Sequence, residues 1–169
     1  MTAIIVIGSN LGDRVAYMLS AVEEMGQLGE IIAVSGLYSS EPDGYENQGD
    51  FLNAAVQLVV DCGPEQLLVR LKEIETKLGR KKSFRNAPRE IDIDIALIGD
   101  IILDGGELTV PHRGLAERDF FIAPIAEIAP DALDPRSHRK LSELRDNFPV
   151  AMKKIISQYK DERWQALIT

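Results

Sequence analysis

The sequence predicts an α+β fold with a ferredoxin-like βαββαβ core, an antiparallel sheet with helices on one face. The first observation is the element order, because strand-like and helix-like runs follow as strand, helix, strand, strand, helix, strand. The second is that each of the two helical patterns has a single apolar stripe, as expected of helices that cover a sheet. The third is the absence of repeats and linkers, so we expect one domain over residues 1–169.

Composition narrows the classes of function. A net charge of −8 argues against general nucleic-acid binding. The single Cys62 excludes an internal disulfide and fits a reducing compartment. No apolar run reaches the roughly 18 residues of a membrane helix, and the N-terminus carries no targeting signal. We therefore expect a cytoplasmic monomer that binds neither nucleic acid nor membrane.

The first half of the core contains two strands and a helix. Residues 3–8 form an apolar run typical of a buried strand, and residues 30–38 are the second strand candidate. Between them lies a helix that Asn10 or Asp13 caps. Its predicted buried stripe consists of Leu11, Val15, Met18, Leu19 and Val22.

A long polar loop and an alternating strand follow. Residues 39–50 form a loop of the length often found in lids and binding loops, although a solvated connection is nearly as good an interpretation. Residues 51–60 alternate and place Phe51 and Asn53 on the face opposite the core. An aromatic ring and a carboxamide there can stack on a flat heterocycle and bind its edge. A surface-facing pair is the simpler alternative. The predicted core face consists of Leu52, Ala54, Val56, Leu58 and Val60.

The clearest helix covers residues 64–78, with Pro64 in its first turn and Gly79 after its end. Glu75 lies at the edge of the apolar stripe and near the C-terminus, where the helix dipole disfavours a carboxylate. A ligand or a salt bridge to Arg80 or Lys82 would resolve this conflict.

The next strand carries two carboxylates. Alternation over residues 89–98 predicts Ile91, Ile93, Ile95 and Leu97 on one face, and Asp92, Asp94, Ala96 and Ile98 on the other. Partly buried carboxylates stay ionised only when cations compensate them. A loop with five Lys or Arg residues, 79–90, comes directly before. The pattern suggests a metal on the carboxylates and a polyphosphate on the metal and the loop.

The remainder predicts elements appended to the core. Turn signals after Ile98 predict a hairpin, His112 stands alone in the next loop, and residues 121–128 predict an apolar helix. Residues 139–168 show two weaker helical patterns, with Trp164 anchoring the last one.

Four separated motifs together resemble one family. They are residues 7–14 (Ile-Gly-Ser-Asn-Leu-Gly-Asp-Arg), 50–56 (Asp-Phe-Leu-Asn-Ala-Ala-Val), 88–94 (Pro-Arg-Glu-Ile-Asp-Ile-Asp), and 108–112 with 118–120. The chain resembles the 6-hydroxymethyl-7,8-dihydropterin pyrophosphokinases of folate synthesis from about residue 3 to about residue 133. The resemblance implies that the pterin hydroxymethyl oxygen attacks the β-phosphorus of MgATP and that AMP leaves. It also implies that Asp92 and Asp94 bind two Mg²⁺ ions.

The resemblance also assigns the substrate contacts. It implies pterin stacking between Phe51 and Phe120, with Asn53 and the loop at Ser40, Asp43 and Gly44 binding the pterin edge. The implied ATP contacts are Glu75, Arg80, Lys82, Arg89, Ile95, Thr109, His112 and Arg118. The catalytic set is Arg80, Lys82, Arg89, Asp92 and Asp94.

The chain departs from the family pattern in the basic loop. Residues 85–89 are Arg-Asn-Ala-Pro-Arg where the family often has Arg-Trp-Gly-Pro-Arg, and Lys82 stands at an arginine-rich position. Two alternatives compete with the pyrophosphokinase hypothesis. One is a non-catalytic ligand-binding module on the same scaffold. The other, a two-metal phosphodiesterase, lacks a further set of Asp, Glu and His ligands.

Overall fold

The computed structural model describes residues 1–169 and contains eight strands and six α-helices. The strands are β1 (Thr2–Ser9), β2 (Glu30–Val34), β3 (Leu37–Ser40), β4 (Phe51–Val59), β5 (Asp92–Ile98), β6 (Leu103–Asp104), β7 (Thr109–Val110) and β8 (Ile155–Tyr159). The helices are α1 (Arg14–Gly26), α2 (Pro64–Lys77), α3 (Gly114–Glu117), α4 (Asp119–Ile128), α5 (Leu141–Asp146) and α6 (Glu162–Ile168).

The sheet confirms the predicted α+β, ferredoxin-like core. Its strand order is β5-β1-β4-β3-β8, all paired antiparallel, with β2 also beside β4. The predicted second strand is split into β2 and β3 at Ser35 and Gly36. Ser35 remains attached to β4, because its hydroxyl accepts a hydrogen bond of 2.9 Å from the Ala55 amide. The hairpin β6–β7 is the predicted appended hairpin.

Helices α1 and α2 pack on one face of the sheet. Their apolar side chains join alternate residues of β1, β4 and β5 in a core of 23 buried residues. Asp13 caps α1 by accepting a hydrogen bond from the Ala16 amide. The prediction that Leu11 belongs to the helix stripe is wrong, because α1 begins only at Arg14 and Leu11 is exposed.

The opposite face of the sheet is covered by α4 and its neighbours, which form a second core of 13 buried residues. The predicted facing of β5 is wrong at its end. Ile4 pairs with Leu97 but Ile5 pairs with Ile95, so Ala96 is an extra residue in a bulge. The bulge moves Leu97 to the α4 side and Ile98 to the side of α1 and α2.

The C-terminal tail adds a strand that periodicity did not predict. β8 pairs with β3 and extends the sheet at an edge that would otherwise be unpaired. Helix α6 then returns to the core, where Trp164 is fully buried and its indole N–H donates to the Ser35 carbonyl at 2.9 Å. Trp164 therefore anchors the last helix, as expected.

Candidate active site

The two aspartates lie on one face of the sheet, in two rows that the pairing of β5 with β1 defines. Gly8 of β1 stands opposite Asp92 on one side and opposite Asn53 on the other. A Cβ atom at Gly8 would lie only 3.3 Å from the Asn53 Oδ1 atom, so the glycine keeps the floor of the site open. In the next row Asp94 stands opposite Val6. The Asp-x-Asp spacing therefore places both carboxylates on the same face of the sheet.

Asp92 is compensated within the chain. Arg80 donates to Asp92 Oδ1 at 2.7 Å, and Arg89 Nε lies 3.7 Å from Asp92 Oδ2. Burial opposes ionisation of Asp92, but the charges of Arg89 and Arg80 outweigh it and hold its pKa below the usual 3.8. Asp92 is therefore a carboxylate at neutral pH.

Asp94 is not compensated. No ion pair within the chain includes its carboxylate. Burial, followed by the negative charge of Asp92, raises its pKa to about 7. Asp92 and Asp94 together therefore carry more negative charge than the neighbouring cations neutralise, as expected of a site that binds a cation.

Arg80 is oriented from behind by Glu75, which explains the carboxylate near the end of α2. Glu75 is 4% exposed, forms an ion pair with Arg80, and accepts hydrogen bonds from Lys72 at 2.8 Å and the Ile93 amide at 3.2 Å. Of the alternatives for Glu75, a ligand or a salt bridge to Arg80 or Lys82, the structure shows the salt bridge to Arg80. Sequence reasoning did not single out Lys72, although its position three residues before Glu75 on the same helix face was a usable signal.

On one side of the aspartates lies a small cavity, here called the aromatic cavity. Phe51 and Phe120 line it, and Asn53 lies at its base. The Asn53 amide group donates to the Tyr38 carbonyl at 3.1 Å and to the Ser40 hydroxyl at 2.8 Å. Its Oδ1 atom has no partner within the chain and is available to a ligand. The lining consists of Val6, Gly8, Glu41, Asp43, Phe51, Asn53, Asn86, Arg89, Asp92, Asp94, Arg118, Phe120 and Phe121.

On the other side lies a larger and more open cavity, here called the polar cavity. Six basic and four acidic side chains line it, an excess of positive charge in a chain of net charge −8. The Nε atom of Arg89 is buried and forms no hydrogen bond within the chain, which suits a site that binds an anion. The lining consists of Leu68, Lys72, Arg80, Arg85, Asn86, Arg89, Asp92, Asp94, Ile95, Glu107, Leu108, Thr109, His112, Arg113, Glu117 and Arg118.

His112 lies in the polar cavity as a neutral side chain. Its Nδ1 atom accepts a hydrogen bond from the Gly114 amide at 2.9 Å, and its ring lies 4.7 Å from that of Phe121. Burial and then the charge of Arg118 lower its pKa to about 4. With Nδ1 acting as an acceptor, the proton is on Nε2, which makes His112 a neutral hydrogen-bond donor.

The two loops beside the site contact each other. Gln48 accepts a hydrogen bond from Asn10 at 2.8 Å and donates to the Asn86 carbonyl at 2.9 Å. The rings of Tyr45 and Phe84 meet edge to face at 5.0 Å between centroids. Asn10, predicted as a helix cap, therefore connects the loops instead.

Arg118 is bound to the polar loop by an ion pair of 3.1 Å with Asp43. Its guanidinium also lies 5.4 Å from the ring centroid of Phe121 and 5.9 Å from that of Phe120. Arg118 is thus a member of both cavities and connects the loop to the start of α4.

The structure brings most of the predicted residues together. Asp43, Phe51, Asn53 and Phe120 line the aromatic cavity, while Arg80, Ile95, Thr109 and His112 line the polar one. Arg89, Asp92, Asp94 and Arg118 line both, together with Asn86, which sequence reasoning missed.

Four predicted residues line neither cavity. Ser40 is buried behind Asn53, and Glu75 lies behind Arg80. Gly44 packs against the Asn86 side chain with a φ of +90°, a conformation that suits glycine. Lys82 points to a neighbouring depression formed by the basic loop and α2.

Comparison with known proteins gives the family. The sequence profile of 7,8-dihydro-6-hydroxymethylpterin-pyrophosphokinase (HPPK) matches residues 4–130. The chain belongs to this family. It is therefore an enzyme, a pyrophosphokinase of folate biosynthesis with ATP as co-substrate.

Two bacterial relatives share the name 2-amino-4-hydroxy-6-hydroxymethyldihydropteridine pyrophosphokinase. The protein of Aquifex aeolicus is 42% identical over 139 residues, which cover 82% of this chain and 87% of the relative. That of Bacillus subtilis is 41% identical over 128 residues, covering 75% and 77%. Their similarity extends over most of both proteins.

A solved structure shows the same fold. The crystal structure of Plasmodium falciparum HPPK-DHPS wild type with pteroate aligns with a TM-score of 0.69 at 16% sequence identity. The alignment covers 87% of this chain and 42% of that longer chain. In the present structure, no helix is both long and apolar enough to span a membrane.

Proposed function

We propose that the aromatic cavity binds the pterin, that the polar cavity binds ATP, and that Asp92 and Asp94 hold two Mg²⁺ ions between them. The observation that carries the proposal is that both aspartates line both cavities. The pyrophosphate acceptor and donor would then meet at the carboxylates. The reaction transfers pyrophosphate from ATP to the hydroxymethyl oxygen of 6-hydroxymethyl-7,8-dihydropterin and releases AMP.

The residues fit magnesium. Mg²⁺ prefers oxygen ligands and is often held by one or two carboxylates together with substrate phosphates and water. The chain offers these two carboxylates and no cluster of three or more Asp, Glu, His or Cys side chains, so the remaining ligands come from substrate and water. The uncompensated charge on Asp94 supports the same assignment. When bound, the ions offset charge on the transferred group and acidify the attacking hydroxyl.

The pterin is bound by strand residues and one helix. Phe51 and Phe120 stack on its rings, and the free Oδ1 atom of Asn53 accepts a hydrogen bond from its edge. Ser40 acts through Asn53, whose amide it fixes at 2.8 Å. The loop backbone at Asp43 and Gly44 completes the contacts.

ATP is bound mainly by cations. Arg89 and Arg118 bind the phosphates, because both side chains line the polar cavity and a guanidinium group forms strong hydrogen bonds with phosphate. His112 donates a hydrogen bond from Nε2, and Ile95 and Thr109 line the nucleotide side. Arg80 positions Asp92, Glu75 positions Arg80, and Lys82 acts from the rim.

Positioning supplies much of the rate. Phosphoryl chemistry asks little covalent work of a protein, so holding the hydroxymethyl oxygen in line with the β-phosphorus is the main task. The hydrogen bond from Gln48 to the Asn86 carbonyl and the contact between the rings of Tyr45 and Phe84 hold together the two loops beside the site.

We also propose that residues 1–169 act as one domain and as a cytoplasmic monomer that binds no nucleic acid. The single Cys62 supports the cytoplasmic location, and the net charge of −8 supports the absence of nucleic-acid binding.

The identity of the released nucleotide tests the proposal. Purified protein with MgATP and 6-hydroxymethyl-7,8-dihydropterin should release AMP in proportion to pterin consumed. Release of ADP alone, or nucleotide turnover that does not depend on the pterin, would overturn it. Nucleotide or pterin binding that needs no metal and leads to no turnover would instead support the non-catalytic module.

A further inference from the structure

The tail strand β8 lies directly behind a wall of the aromatic cavity, outside the residues that the family profile matches. The Lys154 carbonyl accepts a hydrogen bond of 2.9 Å from the Glu41 amide. The Lys154 amide donates to both carboxylate oxygens of Asp119 at 3.0 Å, and the Ile155 amide donates to Asp119 Oδ2 at 2.9 Å. A continuous chain of bonds therefore runs from Glu41 to Asp119 through the tail.

Both ends of this chain belong to the cavity. Glu41 is the first residue of the polar loop after β3 and lines the cavity. Asp119 is the first residue of α4, between Arg118 and Phe120, which also line it. Asp119 itself is 4% exposed, so its carboxylate depends on the tail amides to replace water.

We propose that Asp119 is a positioning residue, through which the tail strand fixes the Phe120 ring and the start of the polar loop at the distance that suits a pterin. The inference rests on the proposed function, because it takes the aromatic cavity as the pterin site. Charge-assisted hydrogen bonds from two consecutive amides resist both sliding and rotation of the start of α4. Without them, the stacking ring and the loop lose their common support.

The test is equilibrium pterin binding by Asp119→Asn in the full chain, measured well below its melting temperature. Asparagine nearly keeps the shape but loses the charge and one acceptor. The Kd for the pterin should rise roughly tenfold, since a hydrogen bond to a charged group is lost. The Kd for an unreactive ATP analogue should change less than about threefold, because most nucleotide contacts lie on other elements.

Asp134→Asn is the matched control. Asp134 is also a buried carboxylate of the tail and accepts hydrogen bonds from the Arg136 amide and the Ser137 hydroxyl, but it lines neither cavity. It should lower the melting temperature and leave the pterin Kd unchanged. An equal loss of pterin binding in both variants would show a merely structural effect and overturn the inference.

A second pair of variants changes the tail residue Lys154 instead of Asp119. Lys154→Pro removes the amide donor and leaves Asp119 intact, so it should weaken pterin binding as Asp119→Asn does. Lys154→Ala keeps the amide and should bind like the wild type. Wild-type protein that fails to bind the pterin would overturn the proposed function. Wild-type binding that Asp119→Asn retains in full would overturn the positioning role alone.

Discussion

The two cavities that meet at Asp92 and Asp94 are built differently. The aromatic cavity is formed largely by strand residues and one helix, and its Asn53 amide group is already satisfied by neighbours on β3. The polar cavity is lined by long cationic side chains from the basic loop, α2 and the region around His112. One cavity therefore has walls held in place by hydrogen-bonded strand residues, whereas the other carries an excess of positive charge that a ligand can neutralise.

This difference indicates which interactions would supply the binding energy of each substrate. Aromatic walls that strands hold in place discriminate by shape and hydrogen bonding, because few of their side chains have to be ordered on binding. A cationic cavity attracts a polyphosphate strongly but leaves its geometry to the ligand and its metal. The aspartates are the only carboxylates common to both, so they should couple the two sides.

The largest expected effect comes from removing either shared aspartate. Asp92→Ala and Asp94→Ala should each lower kcat by about a thousandfold or more, because bound metal supplies several kcal/mol of charge stabilisation. AMP release measures the loss, and circular dichroism checks that the fold survives. The two variants should differ in stability, since only Asp92 is paired with Arg80. Retained turnover in either variant would rule out the metal roles.

Removing the cation behind Asp92 should have the next largest effect. Arg80→Ala leaves Glu75 and Asp92 without their shared partner, so kcat/KM for ATP should fall by roughly 10- to 100-fold. Lys82→Ala is the matched control from the same loop and should change it less than about fivefold, because Lys82 lies outside both cavities. Equal losses would show that proximity to the polar cavity does not determine the contribution of a cation.

Asn53→Ala should weaken ligand binding only in the aromatic cavity. The variant removes the proposed acceptor for the pterin edge and leaves the Tyr38 carbonyl without its donor, so the pterin Kd should rise about tenfold. The Kd for an unreactive ATP analogue should stay the same. A comparable loss of nucleotide affinity, measured by calorimetry, would contradict the division between the cavities.

The pH dependence of stability should show the smallest effect. The native pKa of Asp94 is about 7, above its unfolded value of 3.8, so ionisation destabilises the metal-free fold as pH rises between these values. The cost should be on the order of 1 kcal/mol after solvent screening. Melting curves of wild type and Asp94→Asn should therefore diverge between pH 4 and 7 without Mg²⁺. Parallel curves would show that Asp94 is compensated in some other way.

Much of the fold could be predicted because its signals are local. An apolar run identified β1, alternation identified β4, and capping with an apolar stripe identified α2. The bulge at Ala96 could not be predicted, because it arises from pairing with β1 and leaves no mark in the strand itself. β8 is short and mostly exposed, and only the open edge of β3 makes it a strand.

The site was predictable where chemistry is concentrated in sequence. Asp92 and Asp94 are two residues apart, and their need for cations follows from their place in an apolar strand. Asn86 belongs to the site through tertiary proximity alone, whereas Lys72 could have been found from its position three residues before Glu75. The link from Glu41 through Lys154 to Asp119 joins three distant parts of the chain, so no local pattern announces it.

The most direct test of the coupling is pterin affinity as a function of Mg²⁺ concentration in the presence of an unreactive ATP analogue. In the wild type, Mg²⁺ should tighten pterin binding, since the ions that we propose at Asp92 and Asp94 would contact both substrates. In Asp94→Asn the pterin should bind with an affinity that does not depend on Mg²⁺. The same Mg²⁺ dependence in both proteins would contradict the assignment of the aspartates as the bridge between the cavities.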